Sequence, residues 1–232
     1  MLLKTLREEV LEANLELVRR GLVLYTFGNA SGISREDGLV AIKPSGVPYE
    51  KLRAEDMVVT NLAGKVIEGS MRPSSDLATH LVLYRNFAEI GGVTHTHSEF
   101  ATAWAQARRP IPCFGTTHAD YFHGPVPVTE SLSVDEIAGE YEENTGAAII
   151  RAFAGTDGSS VPAVLVTGHG PFTWGATASE AAHNAVILES VARMAYYTVN
   201  LASEAEAISR ELHDKHYLRK HGKKAYYGQA GN

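Results

Sequence analysis

"GGVTHTHS", residues 91–98, places two histidines one residue apart at the end of a short apolar run. We predict a strand over residues 91–97. Side chains two residues apart in a strand point to the same face, so His95 and His97 should project together. Two imidazoles on one face can hold one metal ion at about 2.0–2.1 Å each. The chain has ten histidines, and ordinary surface or packed histidines explain this pair equally well.

A second segment, "VLVTGHGPF", favours the metal site. His169 lies near the end of a mostly apolar segment, residues 162–170, which we predict as a buried strand. Glycines flank His169 on both sides. Glycines there permit a sharp turn and a close backbone approach. Two strands that each end in histidine can converge at one end of a sheet, and three neutral imidazoles leave a fourth position open, as in catalytic zinc sites. Ordinary packing roles are predicted for four other histidines: His80, His183, His213 and His221.

The remaining periodicity predicts a mixed α/β protein. The length of 232 residues suits one domain, residues 1–232, with a central sheet covered by helices. Further strands are predicted at 39–43 and 56–65. Helices are predicted at 3–20, at 72–87 after an initial turn, at 99–107, from Ser133 onward, from Thr177 to about Leu201, and at about 204–220. Strand order cannot be derived from these patterns.

Composition excludes several functional classes. The net charge of −6 gives no basic excess for nucleic acid, although a few local donors can still bind a small anion. Cys113 is the only cysteine, so an internal disulfide is impossible and a reducing compartment is expected. The charged N-terminal segment does not suit a signal peptide, and no apolar stretch approaches the roughly 20 residues of a membrane helix. We therefore expect a cytoplasmic protein without nucleic-acid or membrane partners.

Three turns rich in glycine or serine can bind an anion: "FGNASG" (27–32), "KPSG" (43–46) and "RPSSD" (72–76). Each can present backbone N–H groups or hydroxyls, and the third opens a helix whose dipole favours negative charge. Its serines and Asp76 can also cap that helix. Each turn alone is explained as well by ordinary turn or cap chemistry. Together with an open metal site, they favour a phosphorylated substrate.

Several motifs carry a family resemblance: "GNASG", "KPSG", "PSSDLATH", "GGVTHTHS", "GTTHADYF", "VLVTGHGPFTWG" and "LRKHGKKAYYGQ". They resemble the bacterial L-ribulose-5-phosphate 4-epimerases of the class II aldolase superfamily, over essentially the whole chain. The histidine and "PSSD" patterns are shared across the superfamily, whereas "GTTHADYF" and the tail are more specific to the epimerases. The resemblance implies a mainly antiparallel sheet flanked by helices.

The resemblance also implies roles for individual residues. One zinc ion per subunit, or another divalent metal, would be bound by His95, His97 and His169 with Asp76 beside them. Acid/base catalysis would fall to Asp120 and Tyr227, supplied by the neighbouring subunit of a homotetramer with C4 symmetry. Substrate binding would involve the remaining matched positions: Gly28, Asn29, Lys43, Ser45, Gly46, Ser74, Ser75, His216 and Arg219.

The implied reaction interconverts L-ribulose 5-phosphate and D-xylulose 5-phosphate. An alternative is a phosphosugar aldolase of the same superfamily, which would release its fragments. A third hypothesis is a non-catalytic interaction module, since the superfamily contains domains that kept the fold and lost the metal. Metal content and free aldehyde product would distinguish the three.

Overall fold

The computed structural model describes residues 1–155 and 158–228. In this part of the chain, seven strands form one sheet in the order β4-β3-β2-β1-β5-β7-β6. The strands are β1 (Asn29–Ser34), β2 (Leu39–Ile42), β3 (Val58–Asn61), β4 (Val66–Glu68), β5 (Gly92–His95), β6 (Ala163–Leu165) and β7 (Pro171–Gly175). Every neighbouring pair is antiparallel, which confirms the expected sheet.

Helices cover both faces of this sheet. They are α1 (Lys4–Arg19), α2 (Leu77–Asn86), α3 (Glu99–Gln106), α4 (Thr116–Ala119), α5 (Val134–Ala138), α6 (Tyr141–Ala152), α7 (Ala178–Leu201) and α8 (Arg210–His221). Short 3-10 turns occupy Tyr49–Lys51 and Ala54–Asp56. None of the helices in the described ranges combines the length and apolar character needed to cross a membrane.

Alternate residues of the strands enter two different cores, as strand geometry requires. In β2, Val40 and Ile42 belong to a large cluster that includes side chains of α2, α3 and α6. Ala41 between them belongs to a second cluster formed with α1 and the first turns of α7. Burial on both faces fixes the register, since a slip by one residue would exchange the two sets.

The strand of the opening motif lies near the middle of the sheet, where β5 pairs with β1 and β7. A Cβ atom on Gly91 would lie 1.9 Å from the Ala176 carbonyl oxygen, and one on Gly92 would lie 2.3 Å from that of Thr177. Only glycine allows this approach. The pair of glycines therefore lets the chain entering α7 rest directly on the central strand that carries His95.

Two predicted segments have a different conformation in the structure. Residues 27–32 were predicted as a turn, but Asn29 begins β1, which pairs along both edges. Residues 162–170 were predicted as one strand, but the chain turns after Leu165 and β7 begins at Pro171. In both cases long-range pairing decides the outcome. Small polar residues form a central strand, and only the first part of the apolar run forms a strand, while the rest forms the turn that leads into β7.

Helix termini are closer to expectation. The capping box of Ser133 and Glu136 is present, although the helix it opens ends after five residues. Thr177 caps α7 by accepting from the Glu180 N–H. The last predicted helix begins later than expected, at Arg210. Asp76 occupies the N-cap position of α2 but makes no capping bond. Its carboxylate instead accepts a hydrogen bond from the Asn29 side chain.

Candidate active site

Three histidines meet at one end of the central strands. His95 is the last residue of β5, and His97 follows two residues later. His169 lies in the turn between β6 and β7, and the antiparallel pairing of β5 with β7 sets His95 opposite Phe172. The candidate ligand nitrogens of the three rings lie within 4.8 Å of one another. The structure thus brings the three histidines together, with His169 in a turn rather than at a strand end.

Packing around His95 selects the orientation and tautomer of its ring. The ring stacks on Phe172 at a centroid distance of 4.2 Å. Its Nδ1 lies 2.9 Å from the Pro171 carbonyl oxygen. A carbonyl only accepts, so Nδ1 carries the proton and Nε2 presents a lone pair. That Nε2 lies 3.0 Å from Nε2 of His97. Converging lone pairs, with the other ring nitrogen bonded to backbone, are typical of histidine metal ligands.

Close backbone approach is needed for this convergence. A Cβ atom on Gly170 would lie 2.7 Å from the Thr96 carbonyl oxygen, so a side chain there would push the His169 turn away from the segment after β5. This close approach was predicted from the glycines that flank His169.

Charge at the site favours a cation. Burial lowers the pKa of His95, His97 and His169 below their ordinary values, so all three are neutral near pH 7. Burial opposes ionisation of Asp76, but the charge of the nearby histidines in their protonated forms and a hydrogen bond from Asn29 outweigh it, and the pKa of Asp76 is lowered. The Asn29 Nδ2 donor lies 2.6 Å from the Asp76 carboxylate. Three neutral imidazoles beside one carboxylate fit a divalent metal ion.

The predicted anion-binding turns border the same site. A cavity of about 280 Å³ is lined by residues of all three turns together with the histidines. These are Thr26, Phe27, Gly28, Asn29, Lys43, Ser45, Gly46, Ser74, Ser75, Asp76, His95, His97 and His169. The backbones of two turns are joined: the Ser45 N–H donates to the Arg72 carbonyl, and the Ser74 N–H to that of Lys43. Segments distant in sequence thus form one polar pocket.

Lys43 supplies a buried cation to this pocket. The residue is only 2% exposed, and burial lowers its pKa to about 8. Its Nζ lies 3.3 Å from the Thr26 carbonyl, 3.4 Å from that of Pro44 and 4.7 Å from the centre of the Tyr49 ring. These weak partners leave the ammonium poorly compensated, and a bound anion would complete its environment.

The other four predicted residues form a separate cluster around Asp120, and none of these described side chains lines the histidine cavity. Arg219 binds the carboxylate with two hydrogen bonds of 3.0 and 2.7 Å, and His216 Nδ1 lies 3.1 Å from it. The ring of Tyr227 lies 4.8 Å from the Arg219 guanidinium. Burial opposes ionisation of Asp120, but Arg219 and His216 outweigh it and lower its pKa.

Some supporting residues had no local sequence signal. The Tyr141 hydroxyl lies 3.4 Å from His169 Nδ1, although the two residues belong to different elements. Phe172 could have been identified from the sequence as a supporting residue, because it follows His169 within the same motif. Of the four histidines predicted to pack, His80 is fully buried against Ser31, and His221 bonds the Asp120 carbonyl.

Residues 8–196 match the family model of the class II aldolase and adducin N-terminal domain. The structure is similar to an L-fuculose 1-phosphate aldolase, at 26% identity and a TM-score of 0.79, over 93% of this chain and 95% of that one. YgbL from Klebsiella pneumoniae is also similar, at 26% identity and a TM-score of 0.72, over 91% of this chain and 97% of that one. The fold is further shared with an L-fuculose-1-phosphate aldolase from Thermus thermophilus, at 24% identity and a TM-score of 0.68, over 86% and 97% of the two chains. The match over most of the chain, with the antiparallel sheet and the histidine cluster, means that the protein belongs to the class II aldolase and adducin N-terminal domain family.

Proposed function

We propose that this protein is a metal-dependent 4-epimerase that interconverts L-ribulose 5-phosphate and D-xylulose 5-phosphate. One structural observation favours an epimerase over an aldolase. The two segments most similar to the epimerases, residues 115–122 and the tail after Lys215, lie about a hundred residues apart. They nevertheless pack into one cluster, in which Asp120 is bonded by His216 and Arg219.

The substrate chemistry requires bond cleavage. The inverted carbon, C4, is not adjacent to the C2 carbonyl of the ketose, so its hydrogen is not acidic and simple deprotonation cannot invert it. The C3–C4 bond can break in a retro-aldol sense, because C3 then shares its negative charge with the C2 oxygen. The other fragment of the cleavage is glycolaldehyde phosphate. Rotation of this fragment and re-addition through its opposite face inverts C4.

The histidine cavity suits the ketose half of this reaction. Bound by His95, His97 and His169 with Asp76 beside them, a zinc ion or another divalent metal would supply Lewis-acid stabilisation of the negative charge on the ketose oxygens. The second ring nitrogen of His95 is engaged by backbone, which keeps its lone pair directed at the site. The Asn29 amide, bonded to Asp76, orients the carboxylate.

The anion-binding turns suit the phosphate half. Ser45, Ser74 and Ser75 offer hydroxyls, Gly46 and Ser75 offer backbone N–H groups, and Lys43 offers a buried positive charge. A phosphate held there keeps the aldehyde fragment bound through its rotation. Retention of that fragment is what distinguishes an epimerase from an aldolase, since binding energy remote from the reacting carbon prevents escape.

Proton transfer at the C4 oxygen falls to Asp120 and Tyr227. The C4 hydroxyl loses its proton on cleavage, and the new C4 alkoxide gains one from the opposite face, so two groups on opposite sides are needed. Asp120 is held as a carboxylate by Arg219 and His216 and can accept the proton. A phenol hydroxyl, as in Tyr227, is a stronger acid than a sugar hydroxyl and can donate to the alkoxide.

Because this pair does not line the histidine cavity of its own chain, we assign it to the cavity of a neighbouring subunit. An interface of this kind is heterologous and closes into a ring, here a homotetramer with C4 symmetry. Two variants that each have low activity should then restore each other. His97→Asn keeps the tyrosine, and Tyr227→Phe keeps the metal ligands. In randomly mixed rings about one site in four combines both intact halves. Hybrid rings verified by mass spectrometry but no more active than their parents would contradict the shared site.

The second candidate is a class II phosphosugar aldolase, favoured by the similarity to L-fuculose 1-phosphate aldolase at 26% identity. It predicts that fragments leave the enzyme. A non-catalytic interaction module is disfavoured, because the three histidines and Asp76 remain grouped in one polar cavity.

The test of the proposed function is incubation of the metal-loaded protein with L-ribulose 5-phosphate, followed by NMR of the products. D-xylulose 5-phosphate should accumulate to equilibrium, free glycolaldehyde phosphate should stay undetectable, and exhaustive chelation should abolish the reaction. Free aldehyde as the main product would identify the aldolase. Full activity in protein shown by elemental analysis to contain no metal would overturn the metal-dependent mechanism.

A further inference from the structure

Lys220 has an environment that its position on a surface helix does not explain. Its side chain is only 14% exposed, although lysine is among the residues least often buried. Its Nζ lies 3.8 Å from the Asp120 carboxylate. It also lies 4.1 Å from the centre of the Tyr121 ring and 4.4 Å from that of Tyr227. One ammonium group therefore contacts both members of the proposed acid/base pair.

Backbone contacts alone leave the ring of Tyr227 free to turn. The N–H groups of Tyr226 and Tyr227 both donate to the Arg219 carbonyl, at 2.9 and 3.1 Å. These bonds fix the position of the main chain, but a tyrosine side chain still has alternative rotamers. Within the subunit Tyr227 is 60% exposed, so core packing does not select one rotamer. Its ring contacts with cations are those of Arg219 and Lys220.

Lys220 is itself anchored to the body of the protein. Tyr121, whose ring it contacts, lies 3.3 Å through its hydroxyl from His183 Nε2 on α7. Cation–π contacts at these distances are attractive and strengthen when the cation is removed from water. A chain of contacts thus runs from α7 through Tyr121 and Lys220 to Tyr227.

We infer that Lys220 is a positioning residue of the epimerase reaction, holding the phenol of Tyr227 in a fixed orientation. The inference rests on the proposed function, and it assigns a role to a residue that makes no contact with the histidine cavity. Arg219 has a different task, because its two hydrogen bonds are committed to Asp120.

The kinetic test compares Lys220→Met, which removes the charge, with Lys220→Arg, which keeps a cation. Lys215→Met is the matched control, since Lys215 makes the corresponding contact with the neighbouring Tyr226 at 5.3 Å. Lys220→Met should lower kcat about five- to tenfold with little change in KM, as expected when the contact orients a group used in the transition state. Lys220→Arg should recover most of the loss, and Lys215→Met should resemble the wild type.

A double-mutant cycle identifies the residue through which Lys220 acts. Tyr227→Phe should keep a low residual turnover that can be measured at high enzyme concentration. Because no hydroxyl remains to be positioned in this background, Lys220→Met should lower the residual kcat no further. The same fold-loss in both backgrounds, or the same loss in Lys215→Met, would overturn the inference in favour of a general structural role.

Hydrogen–deuterium exchange tests the contact independently of activity. The tail peptide that contains Tyr227 should exchange faster in Lys220→Met than in wild type, and exposed Lys224→Met should leave it unchanged. If wild-type protein does not epimerise but the tail responds, the proposed function fails while the contact stands. If wild type epimerises and neither kcat nor exchange responds to Lys220→Met, the inference about Lys220 is wrong.

Discussion

Replacing Lys43 by methionine should stabilise the unliganded protein near neutral pH, even though it removes a proposed phosphate ligand. Lys43 is 2% exposed, and among residues 1–155 and 158–228 its ammonium has as partners two carbonyl oxygens at long distance and one ring face. A buried charge with poor compensation destabilises the folded state. Methionine keeps much of the apolar stem and removes the charge.

The magnitude follows from the pKa. Burial lowers the pKa of Lys43 from 10.5 to about 8, which corresponds to about 3 kcal/mol of folding free energy. Below pH 8 the lysine is protonated in both states, and the folded state carries the full penalty. Between pH 8 and 10.5 the unfolded chain binds the proton more tightly, so stability rises with pH. Above 10.5 the penalty is gone. Losing two weak hydrogen bonds should cost the variant about 1–2 kcal/mol at every pH.

Urea denaturation at fixed protein concentration measures this difference. Lys43→Met should be more stable than wild type by about 1–2 kcal/mol at pH 7 and less stable by about 1–2 kcal/mol well above pH 10, a change of about 3 kcal/mol across the window. Taking the difference between the two proteins removes other groups that titrate in this range. A variant less stable than wild type at pH 7, or a difference independent of pH, would refute the assignment of Lys43 as a poorly compensated buried cation.

Three other substitutions test the site. His97→Asn should lose bound metal and nearly all turnover, because it removes one of three clustered nitrogens; full metal content by elemental analysis would contradict this. Ser75→Ala should raise KM for the phosphorylated ketose, and unphosphorylated L-ribulose should react far more slowly. Equal kcat/KM for the two sugars would exclude a phosphate role for the cavity. Phe172→Ala should cost about 3–5 kcal/mol of unfolding free energy and weaken metal binding, because Phe172 is fully buried and stacks on His95; unchanged metal affinity would refute the second effect.

Features set by local chemistry could be predicted from the sequence. The helix at 3–20 is observed at Lys4–Arg19 and the helix from Thr177 at Ala178–Leu201. Periodicity and capping residues act within one or two turns, so their outcome does not depend on distant segments. The same holds for the shared direction of His95 and His97, which follows from strand geometry.

Features that depend on pairing between distant segments could not be predicted from the sequence. Asn29–Ser34 is composed mostly of small polar residues, and its strand conformation follows from hydrogen bonding to β2 and β5 on both sides. The position of His169 in a hairpin turn depends on the pairing of β6 with β7. The carboxylate of Asp76 was expected to cap α2, but the amide of Asn29, 47 residues away, binds it instead.

The cluster around Asp120 could be found only through family resemblance. Its bond to Arg219 spans 99 residues, and neither residue lies in a pattern that indicates a partner. The contact of Tyr141 with His169 is similar, since it joins the start of a helix to a hairpin turn. Contacts between residues so far apart in sequence depend on how the helices, strands and turns pack against one another.

In the proposed reaction, C4 is inverted by cleavage of the C3–C4 bond and re-addition rather than by deprotonation. The most direct measurement is NMR of the product formed from L-ribulose 5-phosphate in D2O by the metal-loaded protein. Cleavage of C3–C4 never breaks the C4–H bond, so the D-xylulose 5-phosphate formed should retain protium at C4. Deuterium at C4 would show that this bond was broken, and the roles proposed for the histidine cavity, the phosphate turns and the Asp120–Tyr227 pair would then be wrong.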